Sequence, residues 1–109
     1  TSKCNCTICW KRRWWGVQVE PGAFRPLEGV EELVPYPSKA KSGPGGFCRH
    51  CGVSPFASGD AAEWNAGDYV GINLACLDDL DPAVLATAPV RHMDGRADSW
   101  TTPAETRHL

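Results

Sequence analysis

Several things are missing from this chain, and each absence narrows what it can be. No apolar run approaches the roughly 20 residues needed to cross a bilayer. There is no charged-then-apolar leader, although the chain opens at Thr1 without a methionine, as expected of a sequence that lacks its N-terminus. Charge of one sign is lacking too. The formal net charge is -2, so no general affinity for polyanions is expected. No internal repeat, low-complexity tail or long helical period stands out. Within 109 residues, 42% hydrophobic and 22% charged, the composition is that of one ordinary globular domain.

Cysteine, by contrast, is plentiful, with six in a chain of this size. Cys4, Cys6 and Cys9 form C-x-C-x-x-C, Cys48 and Cys51 form C-x-x-C, and Cys76 stands alone. Close pairs without a leader read as metal ligands rather than a secreted disulfide framework, and they imply a cytoplasmic, reducing compartment. Zinc prefers four ligands in a tetrahedron with thiolates at about 2.3 Å. Cys6-Thr7-Ile8-Cys9 has knuckle spacing. Cys4 lies two residues before Cys6, on the same side of an extended segment, so the three thiols can converge. Cys48 to Cys51 is a second knuckle, with Gly52 available for a positive-φ position. Either Cys48 and Cys51 join two N-terminal cysteines in one closed site, or each knuckle serves its own ion. Cys76 reads as a small buried hydrophobe. His50 is expected in solvent, and neither His92 nor His108 has a partner visible in the sequence.

The local patterns predict short strands. Trp14 to Glu20, "EELVPY" and "GDYVGINLACL" are the candidates, with Val70, Ile72, Leu74 and Cys76 at period two on the core face. Pro35 marks an edge or irregularity in the second strand. "YPSKAKSGPGGF" and "SGDAAEWNAGD" read as loops. One short helix is expected after Asp81, which can cap it, with Pro82 at its first position and Val84, Leu85 and Ala88 on its apolar face. "VRHMDGR" reads as a strand running into a turn at Asp94-Gly95. The sum is a mainly β domain of short strands around metal knuckles with one short helix.

"KCNCTICWK", then "FCRHCGVSPF", then "YVGINLACLDD" resemble, in that order, the family of glutathione-dependent formaldehyde-activating enzymes, whose domain is shared with centromere protein V. The similarity runs over nearly the whole of 1–109. It implies an Mss4-like fold of short antiparallel strands with two zinc sites. In that family an early C-x-C pairs with the later C-x-x-C in a structural site, and the C-x-C-x-x-C holds a second zinc with a position left for substrate. Carried over, Cys4, Cys6 and Cys9 match the catalytic triplet, with Cys9 the residue on which catalysis hinges, and Cys48 and Cys51 match half of the structural site. The early C-x-C has no counterpart here. Its absence is expected if a short N-terminal segment precedes Thr1, the alternative being a short form that closes one zinc with the five cysteines present. The implied activity is that of a carbon–sulfur lyase acting on a thiol adduct such as S-hydroxymethylglutathione.

A zinc held by three thiolates is a weak Lewis acid suited to a soft fourth ligand, which it keeps deprotonated. Beside the triplet stands "WKRRWW". Lys11, Arg12 and Arg13 can meet the two carboxylates of glutathione while Trp10, Trp14 and Trp15 wall the pocket. Equally, the stretch reads as a solvated basic segment entering a strand whose tryptophans are core. Nucleic acid is not an expected partner at net charge -2. A non-catalytic zinc module that binds a protein or nucleic acid is the competing function.

Overall fold

Residue order along the strands decides which face of the main sheet becomes core and which becomes site. The computed structural model describes residues 1–36 and 45–109, so most of the predicted loop over 36–47 lies outside the described residues. The described elements are β1 (Ser2–Cys4), α1 (Thr7–Arg12), β2 (Trp15–Val19), β3 (Leu33–Pro35), β4 (Gly46–Cys48), β5 (Phe56–Gly59), β6 (Tyr69–Asn73), α2 (Pro82–Thr87) and β7 (Arg91–Met93). The fold is mainly β, as expected, with α1 as a short helix additional to the predicted one.

The five-stranded sheet has the order β5-β6-β2-β1-β7, and β3 and β4 pair separately. All pairings are antiparallel except that of β1 with β7, which is parallel. The first and last strands of the chain are therefore neighbours.

Directly opposed residues project to the same face. The register Val17↔Ile72, Val19↔Val70 and Phe56↔Ile72 collects aliphatic and aromatic side chains on one face. That face is the core. Val70 and Phe56 are buried there, and the Phe24 ring packs on Phe56 at 4.7 Å. The opposite face carries Ser2, Cys4, Gly16, Gln18, Ala57, Gly59, Tyr69 and Gly71. These are mostly small residues, and larger rings lie on them. A Cβ at Gly16 would stand 2.5 Å from Trp14 Nε1, and one at Gly59 would run into the Tyr69 ring.

Some expectations shift in detail. Val70 and Ile72 do share the core face, but β6 stops at Asn73. The Asn73 side chain accepts a hydrogen bond from the Ala75 amide at 3.2 Å and turns Leu74–Cys76 into a 3-10 turn. Cys76 thus leaves the strand half-buried, its Sγ 3.9 Å from the Ser54 carbonyl. The first predicted strand begins one residue later, at Trp15, because Arg13 adopts a left-handed cap (φ 53°) that turns Trp14 aside. Of "EELVPY", Leu33–Pro35 is strand, while Glu31 and Glu32 belong to a 3-10 turn, Val30–Glu32.

Helix α2 is capped as predicted, Asp81 Oδ1 accepting from the Ala83 amide at 2.8 Å with Pro82 in the first turn. Its apolar face is smaller than predicted, since Val84 is 54% exposed. Six residues make too short a helix to bury a full stripe. After β7 the chain bends at Asp94-Gly95, but no return strand follows. It closes a loop instead, with the Asp94 amide donating to the Thr101 carbonyl at 2.8 Å. Among the described residues, no helix is long and apolar enough to cross a membrane.

Candidate metal centre

The three N-terminal cysteines are brought together by a strand end, a cap and a helical turn. Cys4 closes β1, and Cys6 is the extended residue that caps α1. Cys9 lies one turn into that helix, where the Trp10 amide donates to the Cys6 carbonyl at 2.9 Å. The Cys6 amide also points at Cys4 Sγ, 3.4 Å away. All three sulfurs lie within 4.8 Å of one another. Bonds of about 2.3 Å in a tetrahedron would put them roughly 3.8 Å apart, a distance that small side-chain rotations reach. Among the described residues this is the group of three or more potential ligands that converges.

A loop from the far end of the chain closes over the cluster. Asn5 is buried, and its Nδ2 donates to Asp94 Oδ1 at 2.7 Å while its Oδ1 accepts from the Arg96 amide at 2.9 Å. That latch sets Gly95 against the sulfurs. A Cβ there would stand 2.7 Å from Cys4 Sγ and 3.1 Å from Cys6 Cβ. A side chain at this position is therefore accommodated only if the sulfur or the loop shifts.

Proximity sets the protonation of the thiols. Hydrogen bonds from Cys4 and Cys9 hold the Cys6 thiol far below its ordinary value. Cys9 is pushed up by its hydrogen bonds to Cys4 and Cys6 and then by burial, and Cys4 is pushed up chiefly through its bond to Cys6. The trio thus favours one thiolate supported by two thiols. A divalent soft-ligand metal would replace those two protons as the common partner of the sulfurs. The donor set and the close-packed cradle both fit such an ion.

The cluster opens onto a cavity of about 210 Å³ on the small-residue face of the sheet. Its other walls include Trp14, Tyr69, Trp64 and Trp100, with Arg12 at one side. Trp14 is drawn back over the cluster because its amide donates to the Cys9 carbonyl at 3.0 Å. Tyr69 is pushed up to about 12, mainly by burial and then by negative charge in the nearby cysteine cluster.

The residues of "WKRRWW" fan out rather than converge. Arg12 reaches the cavity wall, its guanidinium 4.8 Å from the Tyr36 ring centre. Lys11 is exposed and borders a separate groove with Phe47 and Cys76. Arg13 lies over the Trp10 ring and donates to the His108 carbonyl at 2.9 Å. The Trp10 ring in turn meets the His108 ring at 4.9 Å. Trp15 sits on the opposite face of the sheet from Cys4, under Lys3, and its Nε1 donates to Thr1 Oγ1 at 2.9 Å. Arg12 lines this cavity, and Arg13 with Trp10 and Trp15 borders a second, smaller pocket of about 90 Å³ that also reaches Cys4 and Cys9.

Cys48 and Cys51 form the second knuckle. Gly52 takes the expected positive φ (77°), and its amide donates to the Cys48 carbonyl at 2.8 Å. The Cys51 and His50 amides hold the Cys48 thiol below its ordinary value. This pair does not join the N-terminal three, so the described residues place two separate cysteine groups rather than one closed four-cysteine site. His50 is exposed, as expected, with its Nε2 2.7 Å from Glu32 Oε2. His92 pairs in register with Lys3 on β7 and enters no ligand group.

Sequence reading missed Asn5, Gly95, Trp64, Tyr69 and Trp100. One signal was present. Tyr69 and Gly71 alternate with the core residues Val70 and Ile72, which assigns them to the other face. Nothing local announces Trp64 or Trp100, which sit in turns.

Site and fold together define a β domain with a metal-type cysteine centre on one sheet face. The fold is similar to a crystal structure of a Rhodobacter sphaeroides protein solved by structural genomics, with a TM-score of 0.61 and 26% identity, covering 82% of this chain and 78% of that one. No protein-family model matches the chain.

Proposed function

We propose that this chain is a zinc-dependent carbon–sulfur lyase of the formaldehyde-activating type, a domain spanning 1–109 that acts on the adduct of a thiol with an aldehyde. The observation that carries the reading is the opening of three converged cysteine sulfurs onto an aromatic-walled cavity. The order of the cysteine motifs supports the family, and six unpaired cysteines suit a reducing, cytoplasmic setting.

Cys4, Cys6 and Cys9 would hold the zinc, which supplies a soft site able to keep a fourth thiol in its thiolate form. In the cleavage direction the hydroxymethyl O–H passes its proton to solvent and the carbon–oxygen double bond forms. The carbon–sulfur electron pair returns to sulfur as a thiolate, which takes up a proton from solvent on release, so adduct gives thiol plus aldehyde. Tyr69, held neutral, is the donor toward the hydroxyl or aldehyde oxygen. Arg12 meets an anionic end of the substrate. The tryptophan walls exclude water from the reacting carbon.

The test has two parts. Zinc per chain is measured on the wild type and on Cys9→Ser, and the breakdown of S-hydroxymethylglutathione is followed by NMR exchange. The variant is expected to stay folded, lose about one zinc and lose the accelerated exchange. Unfolding of Cys9→Ser would make that cysteine structural. Zinc retained with no acceleration by the wild type, for this adduct and for the hydroxymethyl adducts of other thiols such as benzyl mercaptan, would sink the lyase reading and leave a non-catalytic zinc module.

A further inference from the structure

The aromatic side chains around the cavity come from three separate stretches of chain. Trp14 follows α1, Trp64 and Tyr69 belong to the β5–β6 connection and the start of β6, and Trp100 lies beyond β7. Their relative positions are fixed by mutual contact. Trp64 and Trp100 stack at 4.8 Å with planes 25° apart, and Tyr69 meets Trp64 edge-on at 5.4 Å. Trp100 takes a left-handed backbone (φ 57°), an uncommon conformation for a bulky residue. Its one polar group is already used, Nε1 donating to Asp98 Oδ1 at 2.9 Å. What these rings offer the cavity is apolar surface.

The polar side of the ledger is short. Of the three cations expected near the sulfurs, Arg12 lines this cavity and lies against Tyr36, while Arg13 borders a separate, smaller pocket of about 90 Å³ that also reaches Cys4 and Cys9. Among the described residues, no carboxylate or second cation lines this space. Within this cavity a peptide thiol with two carboxylates and an ammonium group would find, among the described residues, one charged partner, Arg12. The volume also discriminates. A dry cavity of about 150 Å³ takes up benzene, whereas drug-sized ligands occupy about 300–1,000 Å³. At about 210 Å³ the space suits one ring and a short side arm.

Resting on the open three-cysteine metal site proposed above, we infer that the thiol component of the substrate is a compact aryl-alkyl thiol, its ring packed against Trp14, Trp64, Tyr69 and Trp100 and its sulfur toward Cys4, Cys6 and Cys9. Arg12 then serves at most one anionic substituent.

The cobalt(II)-loaded protein reports thiol binding through its thiolate-to-metal absorption. Benzyl mercaptan, glutathione and ethanethiol are titrated against it. Benzyl mercaptan is expected to bind at least roughly tenfold more tightly than either of the others. Trp100→Ala should erase most of that margin, while Trp100→Phe keeps much of it. The wild-type comparison needs neither variant to fold. Benzyl alcohol, which has no thiol, should also shift the Trp64 and Trp100 indole N–H resonances of the metal-free protein. Glutathione binding as tightly as benzyl mercaptan, or ethanethiol matching it, overturns the inference and leaves the metal-site reading standing. Shifted indoles with no thiol changing the cobalt spectrum would support the aromatic cavity but refute the open metal position. Silence in both measurements sinks both.

Discussion

Gly95→Ala adds a single methyl group to the loop that covers the cysteines. Gly95 has no positive φ, so alanine can adopt its backbone without strain. The added carbon would nevertheless stand 2.7 Å from Cys4 Sγ and 3.1 Å from both Cys6 Cβ and Trp100 Cζ3. Ordinary carbon–sulfur contact lies near 3.7 Å, an estimate from general packing distances, so something must move by about 1 Å. Metal sites tolerate only about ±0.2 Å in ligand distance. Overpacking of this kind costs about 1–3 kcal/mol. Placed wholly on the metal-bound state, that is a loss of roughly 5- to 150-fold in zinc affinity. Competition against a chromophoric chelator measures the affinity, and thermal melts of the metal-free protein measure what falls on the fold. Gly22→Ala is the control, since its Cβ would meet nothing within 4 Å. If Gly95→Ala matches that control in both zinc affinity and melting temperature, the loop does not pack on the cluster and the cradle is refuted.

Three other outcomes follow from the same contacts. Asn5→Asp keeps the acceptor for the Arg96 amide but sets a carboxylate against Asp94, so it should destabilise by about 1–3 kcal/mol. Hydrogen exchange at the Arg96 amide should then speed up. Tyr69 is a group whose folded value, about 12, lies above the ordinary 10, so burial favours its neutral form. Its contribution to stability is full below pH 10 and is lost as pH rises toward 12. A tyrosinate absorbance titration of wild type against Tyr69→Phe should therefore lose a component with a midpoint near 12. Asp81→Ala removes the α2 cap and should cost about 1 kcal/mol in denaturant unfolding, with no change in metal binding.

How far the sequence disclosed this molecule depends on the range of the interaction. Local chemistry was legible. Period two at Val70 and Ile72 gave the core face of β6, Asp81-Pro82 gave a helix start, and C-x-C-x-x-C gave a converging thiol set. Gly52 took the left-handed position its knuckle needs. Short-range competition was harder to read. Asn73 ends β6 by capping the next turn, and "TICWKR" forms α1 although six residues show no helical period. The lining of the cavity was least legible, because Trp64, Trp100 and Gly95 acquire their roles only through contacts with distant residues. A cluster of like charges also misled. Lys11, Arg12 and Arg13 are adjacent in sequence but occupy the last turn and C-cap of a helix, which points successive side chains in different directions.

The parallel pairing of β1 with β7 has a consequence for biosynthesis. The cysteine triplet is translated ahead of Asp94, Gly95 and Arg96, which roof it and come about 90 residues later. At about 5–20 residues per second, the three thiols wait roughly 5 to 20 seconds before their cover exists. During that interval they are exposed to any oxidant or competing metal in the cell. Faithful loading of this centre therefore depends on the surroundings of the nascent chain as well as on the finished fold.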